Sequence, residues 1–208
     1  MTLPPLYAIV DAETLVLRRM QMLEVCRQLR AAGVTLLQYR DKLGAEADVL
    51  AMAEQIGEVF EGTGATLLMN DRLDVALLAG WDGAHVGQED DSVEDARIVL
   101  GDGRIIGVST HTEAQIWEAE QSSADYVAIG PVFATGTKRD AAPVVGLEGV
   151  RRARELTSKP LVAIGGITRA NARRVIAAGA DSVAVISGLL VPGEPIEKVV
   201  RDFLELLR

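Results

Sequence analysis

Eight short apolar runs, rich in β-branched residues, recur along the chain: "LYAIV" from residue 6, "TLLQYR" from 35, "TLLMN" from 66, "GAHVG" from 83, "IIGVS" from 105, "YVAIG" from 126, "LVAIGG" from 161 and "SVAVIS" from 182. Stretches of helical period separate them. The clearest is "PIEKVVRDFLELLR", where Ile196, Val199, Val200, Phe203, Leu204 and Leu207 fall on one face. Runs that are apolar almost throughout predict strands covered on both sides, and strict alternation with helices predicts parallel pairing through right-handed crossovers. The 208 residues leave about 26 for each of eight units, near the shortest that can cross over. The expected fold is α/β, a single (β/α)8 TIM barrel domain over residues 1–208. An open doubly wound sheet shares the same periodicity and is the alternative. Thr168 is placed as N-cap of the helix in "RANARRVIAAG" and Gly179 as its stop.

No run reaches about eighteen consecutive apolar residues, and "MTLPPLYAIVDAETL" has no basic segment ahead of a long apolar one. Neither a membrane span nor a signal peptide is expected, and the expected location is cytoplasmic. The one cysteine, Cys26, cannot form an internal disulfide and shares a helical face with Met22, Val25 and Leu29, which makes it a core residue. A formal net charge of −9 argues against nucleic acid or an anionic membrane as partner. Cationic side chains that gather despite that charge need a local reason.

A barrel of this kind opens the loops after its strands on one face, where active sites lie. Gln38, Arg40 and Lys42 follow the second run, spaced by two so that an extended chain aims them the same way. Asn70, Asp71 and Arg72 follow the third, His85, Gln88, Glu89 and Asp90 the fourth, and Ser109, Thr110 and His111 the fifth. "TGTKRD" (135–140) follows the sixth, with Thr135, Thr137 and Lys138 forming a compact set of donors to phosphate oxygens. Gly165 and Gly166 end the seventh, and Ile186, Ser187 and Gly188 the eighth, where barrels often bind a phosphate through backbone N–H groups. Only the first run lacks such chemistry in this reading.

Asp71 and Asp90 end consecutive strands, and magnesium (Mg2+) commonly takes one or two carboxylates and completes its shell with water and phosphate oxygens. Beside Arg40, Lys42 and Lys138 the pair points to a magnesium diphosphate, while Asp71 could instead cap the helix in "RLDVALL". The rim thus offers two anion sites, one for a metal diphosphate and one for a monophosphate, and Lys138 could serve either. Two of the chain's four lysines, Lys42 and Lys138, fall on it. His85 and His111 show no zinc-ligand spacing and receive no role.

The segments "QYRDK", "NDRLDVAL", "DGAHVGQEDD", "IIGVSTHT", "DYVAIGPVFATGTKRDA", "GLEGV", "VAIGGIT" and "AVISGL" follow in order along nearly the whole chain and closely resemble the thiamine-phosphate synthase family. The resemblance implies coupling of 4-amino-2-methyl-5-(diphosphooxymethyl)pyrimidine to a thiazole ethyl phosphate with release of diphosphate, and of carbon dioxide from a carboxylated thiazole. It implies that Gln38, Arg40, Lys42, Asn70, Ser109 and Lys138 hold the pyrimidine diphosphate and that Asp71 and Asp90 bind Mg2+. Thr135, Thr137, Gly166, Ile186 and Ser187 would then surround the thiazole phosphate. Arg40, Lys42, Ser109 and Lys138 are the candidates for stabilising the leaving group. Small-molecule substrates are the expected partners. A thiazole tautomerase of the same superfamily, or a non-catalytic sensor of a phosphorylated ligand, are the alternatives, and the first would need neither diphosphate nor magnesium. Tyr39 stands where the family often has an aliphatic residue.

Overall fold

The computed structural model describes residues 1–136 and 142–208. Its strands are β1 (Leu6–Asp11), β2 (Leu36–Arg40), β3 (Thr66–Asn70), β4 (Gly83–Val86), β5 (Ile105–Thr110), β6 (Tyr126–Ile129), β7 (Leu161–Ile164) and β8 (Ser182–Val185). Each lies on one of the eight apolar runs. They pair in parallel in chain order, and β8 returns to β1 with Val183 opposite Leu6 and Val185 opposite Ala8. That last pairing closes the (β/α)8 barrel and excludes the open sheet.

Helices α1 (Ala12–Leu17) and α2 (Met22–Ala31) follow β1, and α3 (Glu46–Phe60), α4 (Leu73–Leu78), α5 (Val93–Leu100), α6 (Glu113–Gln121), α7 (Gly146–Leu156) and α8 (Ala172–Ala177) follow β2 to β7 in turn. A 3-10 turn at Ser187–Leu189 precedes α9 (Ile196–Leu206). In α9 the anticipated stripe is buried at Ile196, Val199, Val200 and Phe203. Removing each such side chain from water contributes about 1.5–3 kcal/mol. Cys26 is buried on α2, and burial pushes its thiol up to about 12, so it stays protonated and inert.

The apolar residues form two nested layers. One lies between strands and helices; the other fills the barrel and includes Tyr7, Ile9, Leu36, Leu68, Tyr126, Ala128, Val162 and Ala184. Gly107, in mid-strand on β5, leaves room for the Tyr126 ring: a Cβ there would lie 2.0 Å from its Cζ. A glycine inside a strand often marks such a close approach.

At the N-terminal end of the barrel a three-fold device ties odd strands to even ones. Asp82, Asp125 and Asp181 sit just ahead of β4, β6 and β8, and their carboxylates accept the N–H groups of Leu67 (2.7 Å), Ile106 (2.8 Å) and Leu161 (2.7 Å). Their own N–H groups donate to the carbonyls of the same three residues. This face serves stability and leaves the opposite face for chemistry.

Thr168 is not the N-cap of α8. Its carbonyl accepts the N–H groups of Asn171 and Ala172, and Asn171 Oδ1 accepts the Thr168 N–H, so a turn intervenes and Asn171 takes the cap position. Gly179 does follow the end of α8, with φ +114°.

Candidate active site

Gln38 and Arg40, two apart on β2, both line the barrel mouth, as their spacing predicts, and Lys42 follows in the loop beyond the strand. The intervening residues organise the loop that carries Lys42. Tyr39 Oη donates to Asp41 (3.3 Å), whose carboxylate also accepts the N–H groups of Leu43 (3.1 Å) and Gly44 (2.7 Å). Arg72 donates to the Gly44 carbonyl from the end of β3 (2.7 Å). The aromatic departure at Tyr39 thus supplies a hydroxyl that an aliphatic residue would lack.

Held this way, Lys42 Nζ lies 2.8 Å from Asp71 Oδ2 and 3.4 Å from Asp90 Oδ1. Asn70 Nδ2 donates to the Asp71 carboxylate, and the Gly87 N–H donates to Asp90 (3.0 Å). Asp71 has φ +62° and donates its own N–H to the His85 carbonyl (2.9 Å). It does not cap α4: Arg72 occupies that position, without a side-chain cap. The capping alternative is therefore set aside.

Burial, then the neighbouring Asp90, raise the Asp71 carboxyl above the usual carboxylate range despite Lys42. For Asp90, burial is outweighed by hydrogen bonding to Asp71, by Lys42 and by the Gly87 N–H, and its carboxyl lies below that range. Burial also opposes the charge on Lys42, but the two carboxylates hold its ammonium above its ordinary range. Two carboxylates from adjacent strand ends thus converge on one cation while one presses against the other. This is a donor set that a divalent ion would satisfy. Among the described residues no group of three or more acidic, histidine or cysteine side chains forms a metal cage. A magnesium ion needs none, because water and phosphate oxygens complete its shell.

Arg40 is oriented by a residue the strand-by-strand reading missed. Its guanidinium is hydrogen-bonded and ion-paired to Asp11, the last residue of β1, with Glu13 at 3.7 Å. Asp11 is 2% exposed and also accepts the N–H (2.8 Å) and hydroxyl (2.5 Å) of Thr14 as N-cap of α1. Arg40 Nε is buried without a hydrogen-bond partner among the described residues. The available signal was an acidic residue directly after the first apolar run.

Below the mouth, Gln38 Nε2 donates to Tyr7 Oη (2.7 Å), Tyr7 Oη is 3.0 Å from Tyr126 Oη, and Tyr126 Oη is 2.8 Å from His85 Nδ1. His85 Nε2 in turn lies 2.8 Å from Ser109 Oγ. His85 is therefore part of the interior. His111 instead ties two loops together, with Nδ1 2.6 Å from the Gly130 carbonyl.

On the other side of the mouth, the loop after β6 packs on the end of β7. Val132 and Phe133 donate their N–H groups to the carbonyls of Ile164 (2.8 Å) and Gly165 (3.0 Å). Gly166 has φ +63°, and a Cβ there would lie 2.6 Å from the Ala134 carbonyl oxygen. Its lack of a side chain is thus required by the neighbouring loop as well as by backbone conformation. Thr135 follows Ala134 in that loop, while Ile186 lines the mouth with Ile9, Ile164 and Ala184, and Ser187 begins the 3-10 turn. Thr137 and Lys138 lie outside the described residues. Asp71 and Asp90 also line a groove of about 660 Å³, together with three further acids, Asp74, Glu89 and Asp91, and with Arg72, Leu73 and Val99.

The family model for thiamine monophosphate synthase matches residues 6–189. A thiamine-phosphate synthase of Koribacter versatilis is 49% identical over 207 residues, covering 99% of this chain and 96% of the relative. One from Methanoculleus marisnigri is 46% identical over 82% of this chain and 81% of its own. The solved structure of thiamine phosphate pyrophosphorylase from Pyrococcus furiosus matches with a TM-score of 0.87 at 33% identity, covering 98% of this chain and 95% of that one. A 3-hexulose-6-phosphate synthase, 16% identical with a TM-score of 0.71, shares the fold alone.

Proposed function

The chain belongs to the thiamine monophosphate synthase family, and from that premise we propose how its rim divides the work of coupling a pyrimidine diphosphate to a thiazole phosphate. The carrying observation is the convergence of Asp71 and Asp90 on Lys42, at 2.8 and 3.4 Å. Asp71 and Asp90 would hold magnesium there, with Lys42, Arg40 and Asn70 beside the diphosphate. When bound, the metal would supply positive charge to the leaving oxygens. Gln38 and Ser109 face the same substrate, with Lys138 assigned to it from the sequence. Thr135, Gly166, Ile186 and Ser187 hold the thiazole phosphate at the opposite end of the mouth, with Thr137 assigned to it from the sequence.

The pyrimidine's 4-amino group donates electrons into the ring, so the C–O bond to diphosphate can break first and leave a stabilised cation. The thiazole nitrogen lone pair then forms the C–N bond of thiamine phosphate, and the electron pair of the broken bond leaves with diphosphate. With the carboxylated thiazole, carbon dioxide departs as well. No protein nucleophile takes part. Arg40, Lys42, Ser109 and Lys138 act by stabilising the charge that develops on the leaving group, the role in which preorganised donors contribute most. The apolar lining at Ile9, Ile164, Ala184 and Ile186 limits water that would capture the cation. We place the reaction in the cytoplasm, the usual setting for a chain whose one cysteine is buried and unbridged.

The test is diphosphate release by the purified chain with both substrates and magnesium, each omitted in turn. Release that requires all three is expected. Release without the thiazole phosphate at the full rate, or none from folded protein, would contradict the proposal.

A further inference from the structure

The interior hydrogen bonds form one continuous chain across five strands: Gln38 on β2, Tyr7 on β1, Tyr126 on β6, His85 on β4 and Ser109 on β5. Both ends belong to the pyrimidine side of the site, whereas the three middle residues were assigned to no ligand. Tyr7 and Tyr126 are 1% and 0% exposed. Burial raises both phenols well above their ordinary range, so each keeps a hydrogen that must be donated somewhere.

Counting those hydrogens gives the chain a direction. The Gln38 amide nitrogen can only donate, so Tyr7 Oη accepts from it and passes its own hydrogen to Tyr126. Tyr126 then donates to His85 Nδ1, which must be bare, and the ring's hydrogen sits on Nε2 facing Ser109. Run the other way, Tyr7 would accept from both Gln38 and Tyr126. Its own hydrogen would have no acceptor among the described residues, and a buried donor left unpaired is costly. Gln38 sets the direction, because an amide turned end for end would reverse every bond in the series.

We propose that Tyr7, Tyr126 and His85 are positioning residues, a one-way hydrogen-bond relay that places the His85 Nε2 hydrogen on Ser109 Oγ and so turns the Ser109 hydroxyl hydrogen outward to the departing diphosphate. A serine that accepts from His85 presents a donor to an anion. One that donates to His85 would present lone pairs, which an anion repels. The Tyr126 ring, stacked on His85 at 5.5 Å and edge-on to Tyr7 at 6.1 Å, holds the relay rigid. The proposal rests on the assignment of Ser109 to the pyrimidine diphosphate made above.

Two measurements test it. The chain has two histidines, so ¹⁵N NMR of the imidazoles in the intact protein can assign each tautomer. His85 protonated on Nε2 with Nδ1 bare is expected; a hydrogen on Nδ1, alone or with Nε2, overturns the direction whether or not the protein turns over substrate. Activity then tests the consequence. Tyr126→Phe keeps the ring and should lower kcat about tenfold or more, with KM for the thiazole phosphate unchanged. In a Ser109→Ala background the same substitution should have almost no further effect, since the two act through one hydroxyl. An undiminished kcat in Tyr126→Phe, or an equal loss in both backgrounds, overturns the relay's role. Absence of all turnover in the native chain would instead refute the proposed function, while the imidazole tautomer still reports the relay.

Discussion

Asp11→Asn removes one charge from a buried pair and leaves almost everything else in place. Asparagine caps helices as well as aspartate does, so the bond to the Thr14 N–H survives and only the ionic partner of Arg40 is lost. The side chains of Arg40 and Asp11 are 11% and 1% exposed, and stranding one member of a buried pair typically costs about 3–5 kcal/mol. Glu13, 3.7 Å from Arg40 and partly exposed, recovers some of that, which brings the expected loss nearer to about 2 kcal/mol. For a chain of this size the melting temperature should fall by about 4–8 °C. Diphosphate would bring negative charge back to Arg40. Magnesium diphosphate should therefore stabilise the variant by more than it stabilises the native protein, a linkage effect read in paired thermal melts with and without the ligand. A variant as stable as the native protein would refute the energetic reasoning. Equal ligand-induced shifts in both proteins would separate Arg40 from the diphosphate.

Asp71→Asn should reduce turnover by about a hundredfold or more with the circular dichroism spectrum unchanged; native rates would remove Asp71 from the metal pair. Gly166→Ala forces a Cβ to within 2.6 Å of the Ala134 carbonyl at a positive φ. Calorimetric titration should show weakened thiazole phosphate binding with magnesium diphosphate binding retained, and equal losses for both would contradict the division of the rim. At Glu120, burial is outweighed by hydrogen bonds from Thr157 and Ser158, and the carboxyl lies below its ordinary 4.5. Its stabilising contribution is fully present above that value and is lost as pH falls through the lower, folded value. The melting-temperature gap between native protein and Glu120→Gln should accordingly narrow from about pH 6 to about pH 3; a gap that does not change would assign the loss to something other than the charge.

The barrel was legible because its strands are covered on both faces, which writes each one as an unbroken apolar run, and all eight were located in this way. That same uniformity hid which strand residues point inward. Tyr7 and Tyr126 look like ordinary core residues in sequence, yet their hydroxyls meet across 119 positions inside the barrel. The rim was legible where polar residues alternate, as at Gln38, Arg40 and Lys42. Asp11 escaped notice as a single acid at the end of a run, and its partner Arg40 lies on another strand. Thr168 and Asp71 had good capping chemistry, but capping depends on where the chain turns. An extra turn follows Thr168, and a left-handed backbone aims Asp71 at Lys42 instead of at its own helix. The glycines at the end of β7 suggested close approach to an anion; the structure shows that they also admit the loop after β6.

The most direct test of this division of the rim is diffraction from crystals grown with magnesium, inorganic diphosphate and the thiazole phosphate. The account predicts a metal ion on Asp71 and Asp90 that shares the diphosphate with Lys42 and Arg40, and the thiazole phosphate separately at Gly166 and Ser187. A diphosphate seated at Gly166 and Ser187, or a metal ion bound away from both carboxylates, would contradict it.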